Sequence, residues 1–157
     1  MNQSTKVMAS FVILRLGVQR IAIATDYMRE ILDPMVEKRV PGAHPAVRSL
    51  INVRGAVVPV ADLRLPLGIP IPPDGPSSRI VVINVKIDDD DVVAAIRTDA
   101  VHEVTNVDAS RIEQLPSTAS TWPREFVSGI YRDNEGFVLV PNLETIFAAL
   151  AASTAHA

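Results

Sequence analysis

The sequence predicts an all-β, barrel-like domain that ends in one short helix. Its apolar residues, many of them β-branched, occur in short runs, of which Ile80–Ile87 is the densest and is typical of a buried strand. Residues that favour turns separate these runs. Only Leu143–Ala152 has a clearly helical composition, with Asn142 in the N-cap position. Many short strands with frequent turns favour sheets that close into barrels.

The composition indicates a globular protein and argues against several functional classes. Of the 157 residues, 48% are hydrophobic and 21% are charged, which is enough apolar material for a packed interior. The net charge of −3 gives no electrostatic support for a nucleic-acid partner. The absence of cysteine excludes disulfides and suits a reducing compartment. The apolar run Val7–Leu14 is too short to span a bilayer, so we expect a cytoplasmic protein without direct membrane insertion.

The first half of the chain is predicted to form hairpins. Phe11–Leu16 and Ile21–Ala24 flank a Gly-Val-Gln-Arg turn, and Thr25–Ile31 is expected to form a brief helical turn. Ile51–Val53 and Ala56–Leu63 are strand candidates on either side of an Arg-Gly pair. Proline cannot donate to a ladder, so Pro59 predicts an edge or a bulge in the second of these strands.

A segment rich in proline and glycine at residues 66–78 divides the chain, because it can continue neither a helix nor a central strand. Beyond it, Asp88–Asp91 and Arg132–Gly136 are predicted turns, and residues 105–124 are expected to be loop-rich. The strand candidates in this half are Ile80–Ile87, Val92–Ile96, Ala100–Val104, Phe126–Tyr131 and Phe137–Val140.

The sequence has no recognisable catalytic, nucleotide-binding or metal-binding motif. His44, His102 and His156 are isolated from one another, which favours structural or exposed histidines over a zinc site. Gly-rich phosphate-binding loops and the GxSxG signature are absent. Asp88–Asp91 could coordinate a hard cation, but its place between two strands favours a solvated hairpin tip. We expect no cofactor, no metal and no catalytic residue.

The pair Arg54 and Gly55 leaves several interpretations open. Gly55 supplies the positive φ of a tight turn, so Arg54 is held at a strand end with its planar guanidinium projecting. Arg54 is then either a contact for a partner or half of an intramolecular pair with Asp62 or Glu30. Asp62 and Arg64 are expected to form a local ion pair at the strand end.

A second functional class also remains open, a small enzyme or ligand-binding barrel with Arg54, Asp62 or His102 lining a pocket. An apolar pocket with converging polar groups would support it. This class is disfavoured, because the spacing offers no nucleophile–base pair.

The order of short motifs resembles that of the CheW family. Asn52–Gly55, Val58–Val60 and Asp62–Arg64 resemble the family's NLRG…VPVVDLR core. Further pieces follow in the family's order across about residues 11–147. They are Phe11–Gly17, like the opening strand and turn; Met28–Ile31, like V-x-E-I; Arg39–Pro41 with Pro45, like R-[VI]-P-x-A-P; Asp99–Val104, like D-x-V-x-E-V; and Glu125–Ile130 with Phe137–Val140, like E-Y-[IL]-x-G and its following strand.

The resemblance implies a non-enzymatic adaptor built from two small SH3-like β-barrels that share a hydrophobic interface. Such adaptors join the cytoplasmic tips of methyl-accepting chemoreceptors to a CheA-type histidine kinase, so both are expected partners, together with other CheW-like domains. The implied location is the cytoplasm, at membrane-bound receptor arrays. By resemblance, Arg54 and Glu30 match positions of receptor and array contacts, and together with Val53 and Gly55 they are the expected partner-binding residues. The expected structural residues are Gly55, Pro59, Asp62 and Arg64.

The resemblance also implies domain bounds and shows some departures. The expected bounds are a flexible N-terminus at 1–10, one domain at 11–150 and a flexible C-terminus at 151–157, with the first barrel at about 20–65, a connector at 66–78 and the second barrel at about 79–141, completed by elements from the chain ends. Ser49 replaces a usual glycine, Ile21 a usual aromatic, Arg97 and Thr98 interrupt an apolar run, and Pro141 breaks the last strand. These departures leave open an adaptor of a specialised chemosensory pathway, such as one for surface motility.

Overall fold

The computed structural model describes residues 6–116 and 122–154. In these ranges the chain is mostly β, with short helical segments. The strands are β1 (Met8–Leu16), β2 (Gln19–Ala24), β3 (Met28–Leu32), β4 (Lys38–Arg39), β5 (Ser49–Val53), β6 (Ala56–Ala61), β7 (Arg79–Ile87), β8 (Asp90–Thr98), β9 (Ala100–Asp108), β10 (Val127–Asp133) and β11 (Gly136–Pro141), and the α-helices are α1 (Arg64–Leu67) and α2 (Leu143–Thr154).

The strands form two sheets. Sheet 1 has the order β10-β11-β2-β1-β9, and sheet 2 has the order β3-β7-β8-β6-β5-β4. Neighbouring strands are antiparallel except for the pairs β11–β2 and β6–β8, which are parallel. Each sheet therefore combines hairpins with two pairings between strands that do not follow one another in the sequence, β11–β2 and β1–β9 in sheet 1 and β3–β7 and β6–β8 in sheet 2.

Side chains alternate between the two faces of each sheet, and this alternation produces three apolar clusters. On β7, Ile80 and Val82 belong to the interior of sheet 2, whereas Val81 and Ile83 face the cluster that both sheets share. On β1, Ile13 faces the interior of sheet 1 and Leu14 faces the shared cluster. The helix α2 contributes Leu143, Ile146, Phe147 and Leu150 to the shared cluster. Two barrel-like halves with a common apolar interface and a C-terminal helix confirm the predicted fold class.

The predicted bounds of the two barrels are wrong, because the proline-rich segment does not separate the sheets. Strands β7 and β8 follow that segment but pair with β3 and β6, which precede it. Strand β9 then returns to pair with β1. The prolines prevent a strand from continuing through 66–78, but they do not determine which distant strands pair. Sheet 1 is consequently built from both ends of the described chain.

The predicted ends of the domain also need correction. Residues 8–10, expected to be flexible, belong to β1, and α2 continues beyond 150 to Thr154. The remaining residues of the expected flexible termini, 1–5 and 155–157, lie outside the described residues, as does His156.

The local predictions succeed where a turn or a cap sets the structure. The hairpins at Gly17 and at Asp88–Asp91 are present, and the Asn142 side chain accepts a hydrogen bond from the Thr145 N–H at 3.1 Å. The helical turn expected at Thr25–Ile31 is limited to Thr25–Tyr27, because the residues that follow pair with β7 as strand β3.

Two further differences concern residues 64–67 and 105–108. The single turn α1 at Arg64–Leu67 was not predicted; its first N–H donates to the Asp62 carboxylate at 3.1 Å, and Gly68 ends it at a φ of 67°. Residues 105–108, expected in a loop, continue β9 because they pair with β1. Part of the expected loop, 117–121, lies outside the described residues.

Candidate functional site

Arg54 and Gly55 are the two central residues of the β5–β6 hairpin turn. Their φ angles are 51° and 85°, and a two-residue hairpin with both central residues at positive φ is a type I′ turn. The Asn52 side chain accepts a hydrogen bond from the Gly55 N–H at 2.8 Å, which fixes the turn. A non-glycine residue in this region costs about 1 kcal/mol, so the fold holds Arg54 in a conformation that arginine does not favour.

Arg54 forms a two-pronged ion pair with Glu30 of β3. Its Nη1 donates to Oε1 at 2.9 Å, and its Nη2 donates to Oε2 at 2.5 Å. The Arg54 side chain is nevertheless 75% exposed, against 24% for Glu30. Of the two intramolecular partners that the sequence left open, the structure selects Glu30. The hydrogen bond from Arg54 lowers the pKa of Glu30, and the same bond raises the pKa of Arg54.

The position of this pair shows how sheet 2 curls. Strands β7, β8 and β6 lie between β3 and β5 in the sheet order. Arg54, at the end of β5, can contact Glu30 on β3 only if the sheet folds round and brings those strands together. The pair therefore lies at the end of the barrel formed by sheet 2.

The other two expected partner-binding residues differ in their exposure. Val53 is partly buried and packs against the interior cluster of sheet 2. Gly55 is exposed at the tip of the turn, and a Cβ built on it would have no atom within 4 Å. Arg54 and Gly55 are therefore open to an approaching surface, whereas Val53 anchors the strand beneath them.

Exposed apolar side chains adjoin the pair, and the sequence reasoning missed them. Ile31, next to Glu30 in β3, is 47% exposed, and Val57, opposite Asn52 in the hairpin, is 66% exposed. Leu32, next to Ile31, is partly buried and Val58, next to Val57, is buried, so composition could not separate the exposed residues from their neighbours. The period-2 alternation of side chains, read in the correct register, is the signal that could have found them.

Asp62 and Arg64 form the local ion pair that their spacing predicts. The Arg64 Nε and Nη2 donate to the two Asp62 carboxylate oxygens, both at 2.8 Å. Arg64 is only 1% exposed, and its hydrogen bond with Asp62 is the largest cause of its raised pKa. Arg64 therefore belongs to the interior of the protein, whereas the Asp62 side chain is 20% exposed.

A third residue, Asp99, completes this network, and its pairing with Arg64 was not predicted from the sequence. Arg64 Nη1 donates to Asp99 Oδ1 at 3.0 Å, and Asp99 Oδ2 accepts from the Gly17 N–H at 2.5 Å. Asp99 lies where the chain passes from β8 in sheet 2 to β9 in sheet 1, and Gly17 belongs to the β1–β2 turn. The network therefore joins the two sheets.

The edge or bulge predicted at Pro59 is wrong, because β6 lies inside sheet 2 and its pairing with β5 has no register shift. In β6, Pro59 stands opposite Leu50 of β5, and the parallel pairing with β8 begins only at Val60. Pairs alternate along an antiparallel ladder between bonded and non-bonded types, and Pro59 falls at a non-bonded one when counted from the turn. Its missing N–H therefore leaves no ladder bond unmade.

The residues proposed for an enzyme pocket do not form one site. Arg54 is bonded to Glu30 and is largely exposed, and Asp62 is bonded to buried Arg64. His102 lies on the exposed side of β9, in the other sheet. Across residues 6–116 and 122–154, no group of three or more His, Asp or Glu side chains could hold a metal ion. No helix in the described chain is long and apolar enough to cross a membrane.

The acidic run and one histidine have local structural roles. Asp88 and Asp89 have φ angles of 51° and 66° and form the turn between β7 and β8, as expected for a hairpin tip. His44 Nδ1 accepts a hydrogen bond from the Ala46 N–H at 3.0 Å and so caps a short 3-10 turn.

Ser49 and Arg97, two of the residues at which the sequence departs from the CheW pattern, line the same cleft of about 210 Å³ on sheet 2. Arg97 forms an ion pair with Glu37 across this cleft. Arg39 and Arg48 also line it, and both are exposed. The departures from the family pattern at these positions thus fall on one polar surface.

The comparisons with known proteins agree with the fold and with the motif order. A family model described as a CheW-like domain matches residues 10–151. A probable chemotaxis protein CheW from Rhizobium etli is 28% identical over 148 residues, which cover 94% of this chain and 91% of that protein. The chemotaxis protein CheW of Bacillus subtilis is 28% identical over 116 residues, which cover 74% of this chain and 72% of that protein.

A solved structure has the same fold. The scaffolding protein TtCheW from Thermoanaerobacter tengcongensis superposes with a TM-score of 0.80 at 24% identity, over 94% of this chain and 92% of that one. Because the family model covers nearly the whole sequence, this chain belongs to the CheW-like domain family and is a chemotaxis adaptor rather than an enzyme.

Proposed function

We propose that this adaptor couples the cytoplasmic tips of chemoreceptors to a CheA-type histidine kinase, and that the β5–β6 turn contacts a partner. The observation that supports this most directly is the Arg54–Glu30 pair, which is held rigidly and yet is exposed. Family membership supports the general role of an adaptor.

The geometry of the pair suits recognition better than stabilisation. An exposed ion pair contributes at most about 1 kcal/mol to folding, which is no more than the cost of the positive φ at Arg54. A guanidinium has five N–H donors, and Glu30 uses two of them. The remaining three can donate to a carboxylate or to backbone carbonyls of a partner.

Gly55 and Val53 fit this role in different ways. Gly55 has no side chain at the tip of the turn, so a partner backbone can come close to the Arg54 guanidinium. Val53 fixes the base of the turn through its packing against the interior of sheet 2. A rigid base lowers the entropy that is lost when a partner binds.

The output of the pathway is a separate part of the proposal. Ser49 and Arg97 meet at one polar cleft, which supports an adaptor matched to a kinase of a specialised chemosensory pathway. Whether the pathway is a general or a specialised chemosensory one, we propose that the protein acts in the cytoplasm, where membrane-bound receptor arrays recruit it.

Reconstitution with partners from the same organism tests the coupling. We expect the purified protein to co-elute in size-exclusion chromatography with its CheA-type kinase and a receptor signalling fragment. Arg54→Ala should reduce co-elution, whereas Arg132→Ala, which removes an exposed arginine from sheet 1, should not. Failure of the unmodified protein to bind any CheA-type kinase of its organism would refute the coupling, and equal binding by both variants would remove Arg54 from the interface.

A further inference from the structure

A cleft of about 580 Å³ lies beside the β1–β2 turn, and neither Arg54 nor Glu30 lines it. Its walls are mostly apolar. Val18 at the tip of the turn is 92% exposed, and Ile71 in the proline-rich segment is 50% exposed. The residues that line the cleft are Arg15, Gly17, Val18, Pro70, Ile71 and Pro72.

Arg15 supplies an uncompensated positive charge to this cleft. Its neighbour across the hairpin, Arg20, is paired with Asp133 and Glu135, but Arg15 has no ion pair within the described residues. The Arg15 Nε is buried and has no hydrogen-bond partner among the described protein groups. A buried donor without a partner is destabilising, so a carboxylate that binds the Arg15 guanidinium and satisfies this donor relieves a cost that an exposed arginine does not carry.

The walls of the cleft are held in place. Gly17 is fixed by its hydrogen bond to Asp99, and it packs so closely on residue 70 that a Cβ would lie 2.6 Å from the Pro70 carbonyl oxygen. Prolines 70 and 72 have no N–H, so this segment cannot accept an added strand through a full ladder. An occupant must therefore be bound by apolar packing and by the Arg15 guanidinium.

We infer that this cleft binds an extended segment of a partner protein in which a Glu or Asp side chain is flanked by apolar residues. A carboxylate can pair with the Arg15 guanidinium, and apolar side chains on either side of that carboxylate can pack against Val18 and Ile71. Their exposure makes the site an open groove, which suits a peptide chain better than an enclosed small molecule. The inference is independent of the proposed function, because it uses neither Arg54 nor Glu30.

A defined peptide tests the inference on the full-length protein. The probe is the synthetic peptide acetyl-Pro-Leu-Glu-Leu-Gly-amide, with a matched peptide that has Gln in place of Glu. Nitrogen-15 correlation spectra give separate signals for the backbone of Gly17 and Val18 and for the side-chain Nε–H of Arg15. We expect saturable shifts of these signals with the Glu peptide and about tenfold or more weaker binding of the Gln peptide, because charge-assisted bonds are the stronger ones.

Two variants sharpen the result. Arg15→Gln should remove the preference for the Glu peptide, whereas Arg124→Gln, which removes an exposed arginine that does not line the cleft, should preserve it. Equal shifts with both peptides, shifts confined to other surfaces, or no saturation at millimolar peptide would each overturn the inference. Saturable binding of sodium octanoate in the absence of peptide binding would also overturn it, in favour of a small carboxylate ligand.

Discussion

Arg64 and Asp99, 35 positions apart in the sequence, form a buried ion pair with 3.0 Å between Nη1 and Oδ1. Arg64 follows the last strand before the proline-rich segment, and Asp99 stands between the two sheets. The carboxylate of Asp99 also accepts the Gly17 N–H. A single guanidinium therefore connects the end of β6 to both the crossover and the β1–β2 turn.

Replacing Arg64 should strongly destabilise the fold. Arg64→Met retains an unbranched apolar side chain, although a shorter one, and leaves Asp62 and Asp99 without their cation. Removing one partner of a buried pair costs about 3–5 kcal/mol, and we expect a loss of that size in the free energy of unfolding, measured by urea denaturation. A loss below about 1 kcal/mol would show that water can replace the guanidinium.

Replacing Arg54 should leave the stability of the fold nearly unchanged and weaken partner binding. Arg54→Ala removes an exposed side chain, so the melting temperature should change little. If Arg54 is a partner contact, binding should weaken by about 2 kcal/mol or more, as for other interface anchors. Calorimetry of the protein alone and titration with its kinase and receptor fragments measure the two effects. A large drop in stability with unchanged binding would make Arg54 a structural residue.

Exchanging the charges of Arg54 and Glu30 distinguishes the role of their ion pair in the fold from the contact of Arg54 with a partner. The double variant Arg54→Glu with Glu30→Arg can rebuild the pair with its direction reversed, so it should recover most of the stability that either single variant loses. It places a carboxylate on the turn, where we propose that a partner meets a guanidinium. We therefore expect partner binding to stay weak in the double variant. Binding restored together with stability would mean that the pair acts only through the fold.

The limits of the sequence reasoning follow from the distance between interacting residues. Hairpins were predicted because a turn of two or three residues sets each of them, and the pair Asp62–Arg64 because the two residues are neighbours on one strand end. The contact between Arg64 and Asp99, and the pairing of β6 with β8, depend on how the sheets fold back. Neither composition nor periodicity records that step.

In the candidate site too, the local turn was predicted and the contact between distant residues was not. The turn at Arg54 and Gly55 was predicted, but its ion-pair partner was left open between Asp62 and Glu30. Only the curled sheet 2 brings β3 to the β5–β6 turn and decides for Glu30. The exposure of Ile31 and Val57 likewise depends on strand register, which a one-residue shift would reverse.

Three glycines should respond differently to alanine. Gly17→Ala combines a φ of 61° with a Cβ only 2.6 Å from the Pro70 carbonyl oxygen, so we expect a loss of well over 1 kcal/mol. Gly55 has a φ of 85°, but a Cβ added to it would meet no atom within 4 Å. Backbone strain alone should therefore make Gly55→Ala cost about 1 kcal/mol. Gly75→Ala has open space without a positive φ and serves as the near-neutral control. Urea denaturation ranks the three, and a Gly17 variant as stable as the Gly75 variant would contradict the close contact.

The Arg20–Asp133 pair should make stability depend on pH in the acid range. Arg20 donates to both Asp133 oxygens at 2.6 Å, and this bonding lowers the pKa of Asp133 to about 2. Because the pKa is lowered in the folded protein relative to about 3.9 in the unfolded chain, the stabilisation is fully present above about pH 5. It is lost as the pH falls through 4 toward 2.

Asp133→Asn isolates this contribution, because the amide oxygen can still accept the Glu135 N–H that Asp133 Oδ1 accepts at 2.9 Å. The Asp133 side chain is 40% exposed, so solvent screening limits the difference between the two proteins to about 1 kcal/mol at pH 6. Urea denaturation at pH 6, 4 and 2.5 should show that difference shrinking at each step. A difference that stays constant down to pH 2.5 would mean that the charge of Asp133 does not stabilise the fold, and that Arg20 is held by its other contacts.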